Sequence, residues 1–136
     1  MERATFEDLI ARKLAKDSKR GEIKDIYVPS IGKTLAFERP ADAVAVRFLD
    51  EVAEEDGMSG TYEMYKNMIY RCCPALQNEK LAAELGAVVP TDTVPMIMDI
   101  DDVLDVGAKL MIFLGLAKPK QGDAEDGETV EEQVKN

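Results

Sequence analysis

Apolar residues recur at helical spacing over most of this chain. Tyr62, Tyr65, Ile69 and Cys72 follow one another at three- and four-residue steps, and Met68, Cys73 and Leu76 widen the same face. This pattern predicts a central helix from about Thr61 to Cys73. Pro74 stops it, because its ring clashes with the preceding turn and it has no N–H to donate. A second stripe, Ala41, Val44, Ala45, Phe48, Leu49 and Val52, follows Pro40, a residue tolerated at a first helical position. Its late acids, Asp50 to Asp56, oppose the helix dipole, so this helix should fray toward Gly57–Gly60. A third stripe runs through Ile100, Val103, Leu104, Gly107, Leu110, Met111 and Leu114 and ends at Gly115, with Asp99 or Asp101 as its cap. Val106, Ile112 and Phe113 lie beside this stripe and make the last helix oily around much of its girth.

Shorter elements fill the gaps. Thr5 can cap a helix whose Phe6, Leu9, Ile10 and Leu14 share a face and which Gly21 follows. Two readings stand for it: a peripheral helix packed on the domain, or an arm whose stripe docks elsewhere. Period-2 alternation at Ile23–Val28 and Thr34–Glu38 reads as two strands joined by Pro29–Lys33, a hairpin with glycine near the end of its loop. A lone hairpin is marginal in water, so it should lie on the helices, anchored by Phe37. Asn78 to Gly86 is a short helix with an Asn cap and a glycine stop, and Asp92 to Met98 can add one or two turns. The expected core includes Phe37, Phe48, Leu49, Ile69 and Leu104.

The fold class is therefore mainly α (α+β): a small helical domain over 23–116 with an N-terminal hairpin at 23–38. A helical arm at 1–22 precedes it, and an acidic tail at 117–136 follows. The tail has almost nothing apolar to bury, which predicts disorder. Val130 and Val134 could mark a marginal helix that forms on binding.

Charge narrows the function. The 136 residues carry 17 basic and 27 acidic side chains. Residues 1–24 hold 7 basic and 5 acidic groups, whereas residues 25–116 hold 7 and 16. An acidic body repels phosphate backbones, which disfavours nucleic acid as a partner. No window approaches the roughly 18 apolar residues of a membrane span. The first residues lack the apolar stretch of a signal peptide, so the expected location is a cytoplasm.

Candidate chemistry is sparse. The chain has no histidine, the commonest general base and zinc ligand. Its serines, Ser18, Ser30 and Ser59, lack a nucleophile-elbow context, and no glycine-rich phosphate loop precedes a helix. Cys72 and Cys73 are adjacent and point apart on a helix, which suggests two buried reduced thiols rather than a pair or a metal site. Asp99, Asp101, Asp102 and Asp105 fail the calcium-loop pattern, since Val103, Leu104 and Leu110 stand at the fifth, sixth and twelfth positions counted from Asp99; acids at a helix start account for them better. These observations point to no enzyme, no cofactor and no metal. The methionines Met58, Met64, Met68, Met96, Met98 and Met111 suit either an irregular core or an adaptable apolar surface.

The order of elements carries a resemblance. "VPSIGKTLAFERP", an acidic helix, "MIYRCCPAL", "NEKLAAELG" and a final "DVLDVGAKLMIFLGL" resemble the tail assembly chaperones of long-tailed phages and prophages, in particular the XkdN-like group, over about Ile23 to Leu116. The resemblance implies a non-catalytic protein made in the bacterial host cytoplasm during virion assembly and absent from the finished particle. It would coat the aggregation-prone tape measure protein, and a longer frameshifted form would recruit tail tube subunits. The alternative is a structural or completion subunit retained in the tail. The residues themselves suggest the contact surface: Phe6, Leu9, Ile10 and Leu14 at the N-terminus, and Val106, Ile112 and Phe113 on the outer flank of the last helix. Such exposed stripes also favour a homo-oligomer while no client is bound.

The acidic tail holds too few apolar residues to offset ordering entropy. Deleting Lys118–Asn136 should leave the melting temperature within a few degrees of the full chain, as followed by helical circular dichroism; a large drop would show that the tail contributes to the fold.

Overall fold

The computed structural model describes residues 2–54 and 57–119. Helix α1 (Phe6–Ser18) leads into an antiparallel hairpin, β1 (Ile23–Val28) and β2 (Lys33–Glu38). Helices α2 (Asp42–Glu54) and α3 (Gly57–Cys72) follow, then a 3₁₀ turn at Pro74–Gln77 and α4 (Glu79–Leu85). A second 3₁₀ turn at Pro90–Asp92 and the short α5 (Thr93–Ile97) precede α6 (Ile100–Phe113). The chain is mainly helical with one hairpin, as its patterning predicts. The disorder expected of the tail, and its Val130–Val134 helix, fall on residues beyond 119 and lie outside the described residues.

Helix α3 is the centre. It touches α2, α5, α6, β2 and both 3₁₀ turns. Its buried positions Gly60, Met64, Met68 and Cys72 recur every four residues, with Ile69 beside them. It starts at Gly57 rather than near Thr61, so its first turn occupies the segment expected to be a frayed connector. Gly57 enters that turn at φ +72°, a left-handed value that suits glycine. The helix stops where Pro74 demands it. Gln77 then reaches back and donates to the carbonyls of Tyr70 at 2.8 Å and Arg71 at 3.0 Å, satisfying groups left open at the helix end.

The hairpin register pairs Ile26 with Leu35 and Lys24 with Phe37, so the apolar alternates Ile26, Val28, Leu35 and Phe37 share one face. Phe37 and Val28 are fully buried. Because Val28 already pairs with Lys33, the loop is Pro29–Gly32, one residue shorter than the sequence suggests, and Gly32 closes it at φ +76°. The hairpin also holds α6 at both ends. From its loop, Ser30 Oγ donates to the carboxylate of Asp102, and to Asp99 Oδ2 at 3.3 Å, in the first turn of α6. Just beyond β2, the Arg39 guanidinium donates to the carbonyl of Phe113, and to that of Leu114 at 3.3 Å, at the other end. Acid at the N-terminus and a cation at the C-terminus both suit the helix dipole.

Three of the expected core residues, Phe37, Phe48 and Ile69, are buried. Leu49 is exposed, because it sits at the edge of an α2 stripe that packs on α3 through Ala45 and Phe48. Leu104 is half-buried, and Ile100 is 67% exposed. The buried stripe of α6 runs instead through Val103, Val106, Gly107, Leu110 and Leu114. Gly107 decides this orientation. A Cβ added there would overlap the Tyr65 ring and lie 2.6 Å from Tyr65 Cβ, so the two backbones approach only because α6 has no side chain at this point.

The atoms in the way are the root of the tyrosine side chain, which cannot swing aside. Overpacking of this kind typically costs about 1–3 kcal/mol, against a gain of about 1 kcal/mol from replacing a mid-helix glycine with alanine. Gly107→Ala should therefore lower stability by up to about 2 kcal/mol in chemical denaturation; a stabilised variant would refute the close approach.

Candidate partner-binding surface

Helix α1 is a 13-residue helix with no buried residue. Its start is fixed locally by a capping box. The Asp8 N–H donates to Thr5 Oγ1 at 3.1 Å, and the Thr5 N–H donates to Asp8 Oδ2 at 2.8 Å. These bonds from Thr5 hold the Asp8 carboxyl below its ordinary pKa. Lys13 pairs with Asp17 at 2.7 Å one turn along the helix. An isolated helix of this length is marginal in water, and α1 meets the rest of the chain along its C-terminal half. There Lys16 reaches Asp42 at 2.7 Å, which lowers the pKa of that carboxyl, and the Gly21 N–H donates to the Arg39 carbonyl at 3.1 Å.

The apolar face of this helix faces solvent. Phe6 is 73%, Leu9 62%, Ile10 47% and Leu14 62% exposed. Of the two readings open for the N-terminal helix, a peripheral packed helix is not what the structure shows. Four large apolar side chains at i, i+3, i+4 and i+8 form an unburied stripe of the kind that docks in grooves.

The second part of the expected contact surface is different. Val106 is fully buried and belongs to the core; the apolar girth of α6 conceals which flank faces inward, and the Gly107–Tyr65 contact turns Val106 in. Phe113 is half-buried beneath Arg39, whose guanidinium carbon lies 5.7 Å from the ring centroid. Ile112 is 37% exposed. These three residues do not form one exposed patch. Nor does the structure bring Ile112 or Phe113 into the α1 stripe, which stands alone.

A shallow apolar groove that the sequence does not reveal lies where the start of α3 meets the start of α6. Met58, Tyr62, Ile100 and Leu104 line it, with Met58 and Ile100 both exposed. The methionines divide accordingly. Met64, Met68 and Met98 are core, whereas Met58 and Met96 are exposed. Arg39 was equally hidden: in "FERP" it reads as one more charge after a strand, and its role depends on the distant end of α6.

The remaining candidates for chemistry are structural. Asp99, Asp101 and Asp102 place carboxylate oxygens within 4.8 Å of one another. Their hydrogen bonds go to Ser30 and to the helix's own N–H groups, including Asp99 N to Asp102 Oδ2 at 3.3 Å and Asp102 N to Asp101 Oδ1 at 3.1 Å. This is a helix start tied to the hairpin loop. Cys72 and Cys73 are free and buried. Burial pushes the Cys72 thiol up to about 11 and raises that of Cys73 as well, so both are protonated and poor nucleophiles near neutrality. No helix among the described residues is long and apolar enough to cross a membrane.

No family model matches the chain, and neither a curated protein nor a solved structure does.

The raised thiol values carry a pH dependence. The unfolded chain loses its Cys72 proton near the ordinary 9.0, while the folded chain keeps it to about 11. The contribution is thus complete below about 9 and lost as pH rises toward about 11. Urea titrations should show stability falling across that interval, and a water-soluble disulfide reagent at pH 8 should label the thiols only when denaturant is added. Rapid labelling of the folded protein would contradict their burial.

Proposed function

We propose that this chain is a non-catalytic assembly chaperone that holds an apolar helical segment of a partner. The observation that carries this reading is the unburied stripe of α1, presented by a capped helix on an acidic protein. A net charge of −10 opposes indiscriminate aggregation of a protein that exposes such a stripe. Each large apolar side chain of the stripe that a partner buries contributes at most about 1.5–3 kcal/mol.

The resemblance of residues 23–116 to phage tail assembly chaperones supplies the partner's identity: the tape measure protein, with tail tube subunits as a second partner. The cytoplasm of a bacterial host is the corresponding location. Self-association through the same stripe competes with the client, because both bury the same residues. A structural tail subunit would use similar surfaces but remain in the particle, and mass spectrometry of purified virions distinguishes the two.

Leu9→Asp combined with Ile10→Asp tests the stripe directly. Both residues are exposed, so the variant should keep its helical circular dichroism and its cooperative melt. It should lose capture of co-expressed tape measure protein at least tenfold, which corresponds to about 1.4 kcal/mol. A folded variant that retains both capture and oligomer size would remove α1 from the working surface.

A further inference from the structure

A cleft of about 650 Å³ lies between α1, the start of α2 and the end of α6. Five cations line it: Arg12, Lys16, Lys19 and Arg20 from α1 and the turn after it, and Arg39. Among the described residues only two acids, Asp17 and Asp42, share the lining. This concentration of positive charge is unexpected in a chain of net charge −10. Part of it is accounted for internally, since Lys16 pairs with Asp42 and Arg39 caps α6. Arg12, Lys19 and Arg20 form no salt bridge among the described residues.

The third wall of the cleft is Leu114–Leu116, from which the chain runs on toward residues 120–136. That segment carries six acids, Asp123, Glu125, Asp126, Glu128, Glu131 and Glu132, against Lys120 and Lys135. Asp123 lies seven positions beyond Leu116, a reach of up to roughly 25 Å. Helix α1 is about 20 Å long. The densest run of carboxylates in this region is therefore tethered at the mouth of the basic cleft, with enough slack to enter it.

We propose that the cleft is a binding site for a carboxylate-rich peptide and that its occupant is this chain's own segment Asp123–Glu132. Docked there, the segment spans from α1 to Arg39 and adds a strap to the contacts, among them Lys16–Asp42 and Gly21–Arg39, that join α1 to the body. The partners are exposed charges, so the contact is electrostatic, weak and salt-sensitive. It is compatible with a tail that the fold does not need. It also stands independently of the identity of any client.

The test uses the full chain. Gly127→Cys places a thiol in the segment for a nitroxide label, while Cys72 and Cys73 are protected by burial. At about 0.01 M salt, where the Debye length is near 30 Å, paramagnetic broadening should concentrate on the amides of Arg12–Arg20 and Ala41–Val46. It should vanish at about 1 M salt, where that length is near 3 Å. It should also vanish in a variant with Arg12→Gln, Lys19→Gln and Arg20→Gln whose circular dichroism is unchanged. Mixing spin-labelled chains with isotope-labelled, unlabelled-thiol chains separates copies: broadening in the mixed sample shows that the segment enters another copy's cleft and overturns the proposal. So does broadening that is absent, lies on another surface, or survives both salt and the triple variant. If an added oligonucleotide shifts the cleft amides while the tethered segment does not, the cleft serves an external polyanion and the proposal fails.

Discussion

The approach of α3 to α6 at Tyr65 and Gly107 fixes the rest of the molecule. A glycine in the middle of a helix costs about 1 kcal/mol relative to alanine, and here that cost allows a tyrosine to lie across the helix backbone. Once that contact is made, α6 can turn only one way. Val103, Val106 and Leu110 face inward onto the core, while Ile100 and Ile112 are left outside. Helix α3 also packs against α2 and α5, and so joins α6 to both.

The same geometry leaves apolar surface at the periphery. The core of this domain uses most of its large apolar residues between α3, α6 and the hairpin. Part of what remains apolar and exposed lies on α1, an element with no buried residue. An element outside the core can change its attachment without disturbing the domain. The acidic body and the basic cleft divide the electrostatic labour. The first opposes non-specific association; the second concentrates what positive charge there is beside the arm.

Much of this architecture was legible because local signals agreed with the fold. The caps of α4 at Asn78 and Gly86, the stop at Pro74 and the alternation around Phe37 each involve residues close in sequence, and each stands where its chemistry places it. The N-terminal stripe was equally plain, although its exposure was not, since an amphipathic period shows a face and not what covers it. The errors lie where the deciding partner is remote. A helix apolar around most of its girth gives no phase, so Val106 reads as an outer residue until Tyr65, forty-odd positions earlier, is known to occupy Gly107. Leu49 reads as core because its stripe is wider than the strip of α3 that covers it. Arg39 reads as a surface charge because its acceptors, the carbonyls at Phe113 and Leu114, are backbone atoms about 75 residues away.

The two-ended grip of the hairpin on α6 has a consequence for how this protein can vary. A six-residue strand spans about 20 Å and a 14-residue helix about 21 Å. Ser30 and Arg39, flanking that strand, therefore behave like the jaws of a caliper closed on the two ends of the helix. An insertion in β2 alone would carry one jaw past its mark, and an added turn in α6 alone would push a helix end out of the gap. The strand and the helix are a matched pair of lengths, and a lineage could extend either one only by extending both.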